Sequence, residues 1–225
     1  MALGERVHDG TMEITRFGHA ALLVTTDETR VLIDPGAFCR PEVFELDALD
    51  AIVVTHQHPD HLDPERAATL LDVNPDALLL CDPETAAQQD SARWQVNHDG
   101  SEHRVGDLVL RGVGTHHAEI LPTLPRVTNV GVLVDDGASA LFHPGDSYAS
   151  TPDGVDVLAL PLAAPWAKIS ETVAFARAVA PTTLLPIHDA TVSELAYDVY
   201  WGHVVRAAGV ADARRLGPDG RLTTA

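Results

Sequence analysis

The stretch Ala51-Ile52-Val53-Val54-Thr55-His56-Gln57-His58-Pro59-Asp60-His61 runs from four apolar residues straight into four side chains able to bind a metal: His56, His58, Asp60 and His61. A short β-branched run reads as a buried strand, so the ligands occupy the loop that leaves it. Imidazole nitrogens and a carboxylate suit zinc and other borderline divalent ions, and a sheet behind the loop can hold so dense a set rigidly. His56, His58 and Asp60 alternate, so in extended backbone they project to one side, while His61 turns in at the start of a helix. Such a set can divide between two ions. It points to a metal-dependent hydrolase.

Outward from this stretch, Val-, Ile- and Leu-rich segments predict strands over 13–17, 20–25, 30–33, 51–55, 77–81, 108–113, 129–134, 138–142, 155–160 and 183–187. Helices are predicted over 64–73 and 83–91, with Asp63 and Asp82 as N-caps and proline at the first position of each. Two more are predicted over 170–179 and 193–208, the latter closed by Gly209.

The two halves of the chain also echo each other. Leu23-Val24, a polar turn, Val31-Leu32-Ile33-Asp34-Pro35-Gly36 and Asp50-Ala51-Ile52-Val53-Val54 are matched by Leu133-Val134, Asp135-Asp136-Gly137, Ala140-Leu141-Phe142-His143-Pro144-Gly145 and Asp156-Val157-Leu158-Ala159-Leu160. An internal duplication follows, in which each half supplies a sheet packed on the other and carries helices outside. The expected architecture is α/β, a four-layer αβ/βα sandwich of two mixed β-sheets with helices on the outer faces.

At 225 residues and 45% hydrophobic content, a single domain over 1–225 is expected, with 1–11 a candidate leader before Met12 opens the first strand pattern. The formal net charge of -18, from 15 Lys+Arg against 33 Asp+Glu, argues against long nucleic acid and anionic membranes as partners. The start has no apolar core of a signal peptide, and no apolar run reaches membrane-spanning length, so a cytoplasmic location is expected. Cys39 and Cys81 lack metal-ligand spacing and read as buried, reduced thiols. Lys168 is the only lysine, a bias towards arginine that suggests a GC-rich bacterial genome. Oligomeric state leaves no signature.

Three further positions stand where strand-like runs end: His116-His117, Asp146 and His188. With these, the chain resembles a metallo-β-lactamase superfamily hydrolase, through the His-x-His-x-Asp-His motif and the later His, Asp and His. The resemblance extends from Phe17-Gly18-His19-Ala20 to His188-Asp189. It implies that one metal site uses His56, His58 and the third-motif histidine, that a second uses Asp60, His61 and His188, and that Asp146 bridges. The third-motif residue is His117 or His116, with His117 favoured by the Gly114-x-x-His117 pattern.

The opening Gly-His-Ala, Leu32-Ile33-Asp34-Pro35-Gly36 and Phe142-His143-Pro144-Gly145-Asp146 further resemble the small bacterial hydrolases related to L-ascorbate-6-phosphate lactonase. Asp146 stands where the true lactamases usually carry cysteine, and His58 where the flavodiiron branch has Glu, which turns the expectation from antibiotics and from oxygen chemistry.

Two divalent ions about 3.5–4 Å apart can share a water, lower its pKa towards neutrality and polarise a substrate oxygen. The expected function is a dinuclear hydrolase using a metal-bridging hydroxide on a small anionic lactone or ester, with zinc the first choice of metal and manganese or iron the alternatives. The family resemblance implies that Asp60 orients the hydroxide and later protonates the leaving group. A phosphodiesterase or small nuclease with the same site, and a non-catalytic metal-binding protein, are the alternative readings.

Metal-bound histidines need a partner for their other ring nitrogen. Asp34, at the end of an apolar strand, is the first choice, and His19 and His143 stand at analogous strand ends. Lys168 and Trp166 lie in a loop long enough to close over a substrate, where a lysine can meet an anion.

Overall fold

The computed structural model describes residues 11–89, 93–217 and 220–224. Successive side chains of a strand point to opposite faces, and here each face finds its own apolar cluster. In β4 (Ala51–Val54), Ala51 and Val53 enter a central core, while Ile52 and Val54 enter an outer one.

The first sheet has the order β14 (Arg221–Thr223), β1 (Glu13–Arg16), β2 (Leu22–Thr25), β3 (Arg30–Ile33), β4, β5 (Leu78–Cys81), β6 (Trp94–Val96). The second has the order β13 (Asp212–Ala213), β12 (Thr183–Ile187), β11 (Val157–Pro161), β10 (Ala140–His143), β9 (Gly131–Asp135), β8 (Leu108–Val113), β7 (Glu102–Val105). Their inner faces share one core, with Ile33, Val53 and Leu80 from the first sheet and Val134, Leu141 and Ala159 from the second. On the outer face of the first sheet, Leu32, Ile52 and Leu79 pack with Val43 and Phe44 of a 3-10 helix (Pro41–Glu45) and Leu70 of α1 (Ala67–Val73). The other outer face packs Phe142, Leu158 and Leu184 against Phe175 of α3 (Ile169–Val179) and Tyr197 and Val204 of α4 (Glu194–Ala207). This is the expected four-layer sandwich of two mixed sheets.

The strand directions repeat between the halves. β1, β2 and β3 are antiparallel neighbours followed by parallel β4, β5 and β6, and β8 to β13 run through the same sequence of directions. The last strand of each half crosses over: β7 pairs with β8 of the second sheet, and β14 returns to pair with β1 of the first. That reciprocal exchange ties the two sheets together at opposite ends of the chain.

Several local expectations shift. The helix predicted from residue 64 begins at Ala67, because the Asp63 carboxylate accepts the N–H groups of Glu65 and Arg66 at 2.8 and 3.0 Å and closes a turn first. Asp82 does cap α2 (Pro83–Gln88), which ends earlier than predicted, at an extended Gln89. β6, β7, β13 and β14 are additional strands, short and at or near sheet edges. Residues 1–10 of the expected leader lie outside the described residues, while Met12 is fully buried and its N–H reaches Thr224 Oγ1 at 3.2 Å. Among the described residues no helix is long and apolar enough to cross a membrane.

Candidate metal centre

Loops leaving β1, β3, β4, β8, β10, β11 and β12 meet at one rim of the sandwich. They assemble two groups of side chains whose ligand atoms lie within 4.8 Å of one another: His56, His58, His117 and Asp146, and next to them His19, Asp60, His61 and His188. Asp146 stands between the two. Its Oδ1 is 3.1 Å from His61 Nε2, and its Oδ2 is 3.3 Å from His117 Nε2 and 3.1 Å from His188 Nε2.

The far side of each ring is anchored. His61 Nδ1 donates to Asp34 Oδ2 at 2.6 Å, His117 Nδ1 to the Ala118 carbonyl at 2.6 Å, and His188 Nδ1 to the Ala163 carbonyl at 2.8 Å. Each bond fixes the tautomer that leaves Nε2 with a lone pair. Those three Nε2 atoms and Asp146 Oδ1 are buried with no hydrogen-bond partner. Buried polar atoms are almost always satisfied, so four orphans converging on one another mark a place built for something more. Borderline imidazole nitrogens with carboxylates are the chemistry of a divalent transition metal, and the residues present fit one.

Asp34 supports residues of both groups. Besides His61 it accepts the Thr55 N–H and the Thr55 hydroxyl, both at 2.8 Å, and Thr55 Oγ1 lies 3.1 Å from His56 Nδ1. Asp34, His19 and His188 all have positive φ, 49°, 49° and 56°, a conformation a side chain adopts at a cost of about 1–3 kcal/mol. Three such residues at one rim show how far the backbone bends to aim these groups.

His19 belongs to the second group by distance but not by chemistry. The Ala190 N–H donates to His19 Nδ1 at 3.3 Å, so the ring proton sits on Nε2 and is donated to Asp60 Oδ2 at 3.1 Å. The His19 carbonyl also accepts the His188 N–H at 3.0 Å. His19 thus holds Asp60 and His188 in place. It has no lone pair facing the centre.

Electrostatics follow the same geometry. Burial pushes the His19 pKa down to about 4 and that of His56 well below its ordinary value. Burial also opposes charge on His188 and His61, but the Asp146 carboxylate outweighs it, holding His188 up at about 10 and, with Asp34, His61 well above its usual range. Asp146 is held well below the carboxylate range despite burial, by His61 and His188. Asp146 is therefore ionised and calls for positive charge, which ring protons supply unless a cation takes their place.

Of the two candidate third-motif histidines, His117 is buried at the centre and His116 is exposed. His143 is buried behind Asp34, with Nδ1 at 3.8 Å from Asp34 Oδ2 and Nε2 donating to the Ala20 carbonyl at 2.9 Å. Trp166 does more than cover the site: its indole N–H donates to Asp146 Oδ2 at 3.0 Å. Lys168 is exposed, and its contribution is the backbone carbonyl that starts α3. Sequence reasoning missed Asn129, whose Oδ1 accepts the Asp146 N–H at 2.9 Å while Nδ2 donates to the Pro144 carbonyl at 2.9 Å. Nothing in a local pattern distinguishes that asparagine from a turn residue.

Residues 13–188 match the family described as Beta-lactamase superfamily domain. The chain is 46% identical to Protein Rv0786c of Mycobacterium tuberculosis over 196 residues, covering 86% of this chain and 91% of that one. It is 27% identical over 224 residues to a UPF0173 metal-dependent hydrolase of Carboxydothermus hydrogenoformans, covering 89% and 95%. Its fold is similar to that of Igni18, a metallo hydrolase from Ignicoccus hospitalis, with a TM-score of 0.73 at 19% identity, over 96% of this chain and 99% of that one. The metallo-beta-lactamase fold protein YhfI from Bacillus subtilis superposes with a TM-score of 0.71 at 17% identity, over 96% and 100%.

Proposed function

The chain belongs to the beta-lactamase superfamily, and from that premise we propose that it is a dinuclear metal-dependent hydrolase acting on a small anionic lactone or ester. The observation that carries this reading is the convergence of the buried, unpartnered Nε2 atoms of His61, His117 and His188 on Asp146. His56, His58 and His117 would hold one ion and Asp60, His61 and His188 the other, with Asp146 shared. Zinc is the first choice for so histidine-rich a donor set. When bound, two such ions lower the pKa of a shared water and polarise the substrate oxygen.

The chain's own residues then do the positioning. Asp34 and the Ala118 and Ala163 carbonyls lock the ring orientations, and Trp166 fixes one Asp146 oxygen. Asp60, held through Oδ2 by His19, keeps its second oxygen to take a proton from the nucleophilic water and return it to the leaving group. The lactone preference rests on the resemblance of the Gly18-His19-Ala20 and His143-Pro144-Gly145-Asp146 segments to L-ascorbate-6-phosphate lactonase relatives, and a cytoplasmic location on the sequence of the chain.

The test compares a lactone, an aryl ester and an aryl phosphodiester at matched zinc loading, with Asp60→Asn beside the wild type. Lactone or ester turnover that collapses in Asp60→Asn while both ions stay bound is the expected result. A marked preference for the phosphodiester reassigns the substrate class. No turnover of any of the three by fully loaded protein removes the hydrolase reading.

A further inference from the structure

A cavity of about 380 Å³ has His19, the partner of Asp60 in the metal centre, as part of its wall. In a chain with 15 basic residues against 33 acidic ones, three guanidinium groups, Arg16, Arg40 and Arg215, line this one cavity against two carboxylates, Asp189 and Glu194. Arg16 pairs with Asp189, and Arg215 pairs with Glu194 and Asp198 while lying 3.7 Å over the Tyr197 ring. These pairs hold the guanidiniums in place without using all their N–H groups.

Two donors in the cavity wall are left over. Arg16 Nε is buried with no hydrogen-bond partner, and so is the hydroxyl of Tyr197, a residue only 3% exposed. Burial raises the phenol pKa, with the Asp189 carboxylate adding to it, so the hydroxyl keeps its hydrogen at neutral pH and is a donor. A buried tyrosine hydroxyl normally finds a partner. Two orphaned donors beside three guanidiniums are complementary to an acceptor-only group.

We infer that this cavity binds an oxyanion, the carboxylate or phosphate head group of the substrate, one imidazole away from the metal centre. Tyr197 and Arg16 supply the unpaired donors, and Arg215, its two terminal nitrogens paired with Asp198 and Glu194, adds positive charge at the wall. His19 both lines the cavity and bonds to Asp60, so a head group seated there and the metal centre share that imidazole. As a substrate subsite this rests on the hydrolase reading, but anion binding is measured without turnover, so the two ideas fail separately.

The probes are inorganic phosphate and acetate, titrated by calorimetry into zinc-loaded wild type, Tyr197→Phe and Arg215→Gln. Tyr197→Phe removes only an unpartnered hydroxyl and keeps the ring under Arg215, so its melting temperature should match the wild type. One anion per chain is expected, with affinity roughly tenfold weaker in Tyr197→Phe, reduced in Arg215→Gln, and retained when the metal is removed by chelation. The tighter of the two probes identifies the head group. Failure of both to bind the wild type overturns the inference, as does binding that ignores Tyr197→Phe or disappears with the metal.

Discussion

Gly36→Ala is the sharpest structural perturbation of the site, because it adds one methyl group outside the ligand set. A Cβ at Gly36 would stand 1.8 Å from the Asp60 carbonyl oxygen and 2.5 Å from the His61 nitrogen, where real Cβ contacts stay above 3.0 Å. The Asp60–His61 backbone must therefore retreat by at least about 1.2 Å. It is stapled on both sides, by Ala37 N–H to the Pro59 carbonyl at 2.8 Å and Asp63 N–H to the Pro35 carbonyl at 3.1 Å, so the strain is not easily shed. Functional constellations tolerate about 0.5 Å. Overpacking of this kind costs about 1–3 kcal/mol, or a fall in melting temperature of roughly 2–12 °C for a chain of this size. Metal titration with the wild type as reference should show the first ion retained and affinity for the second reduced at least about tenfold, since Asp60 and His61 move while His56, His58 and His117 do not. A Gly36→Ala protein with two ions at wild-type affinity and an unchanged melting temperature would refute the reasoning.

Other substitutions probe the anchoring bonds. Trp166→Phe keeps an aromatic ring between His117 and His188 but deletes the donor to Asp146, so metal affinity measured by competition with a chelator should fall about tenfold or more with the fold intact. Asp34→Asn keeps an acceptor for Thr55 but turns an amide N–H towards the His61 Nδ1–H, and is expected to destabilise by about 3–5 kcal/mol in denaturant unfolding and to weaken metal binding. Burial pushes the Cys39 thiol up to about 11 and the Cys81 thiol up to about 12. Both should therefore resist a thiol-specific alkylating agent at pH 8 in the folded protein and react once it is unfolded.

The parts of the molecule written in local pattern were legible. Ala51 to Val54 is apolar throughout because both faces of β4 are covered, and the ligands behind it form one loop that distance along the chain alone brings together. The echo between Asp34-Pro35-Gly36 and His143-Pro144-Gly145 foretold strands β3 and β10 in equivalent places, and Asp34 just after β3 meets His143 at the end of β10 in the interior. Edge strands were not legible. β7 reads Glu-His-Arg-Val with only Val105 buried, so its pairing with β8 supplies an order that its side chains do not announce. The same holds for contacts between distant loops. That Trp166 reaches Asp146, that Asn129 sets the Asp146 backbone and that Ala190 fixes the His19 tautomer depend on how β9 to β12 end beside one another, which no single segment encodes.

The central claim, two ions held around Asp146, is tested most directly by elemental mass spectrometry of protein purified without chelator, with Asp146→Ala measured alongside. Two ions per chain in the wild type, falling to one or fewer in Asp146→Ala, is the expected result. One ion or none in the wild type after reconstitution with zinc, manganese or iron, or two ions undiminished in Asp146→Ala, would contradict it.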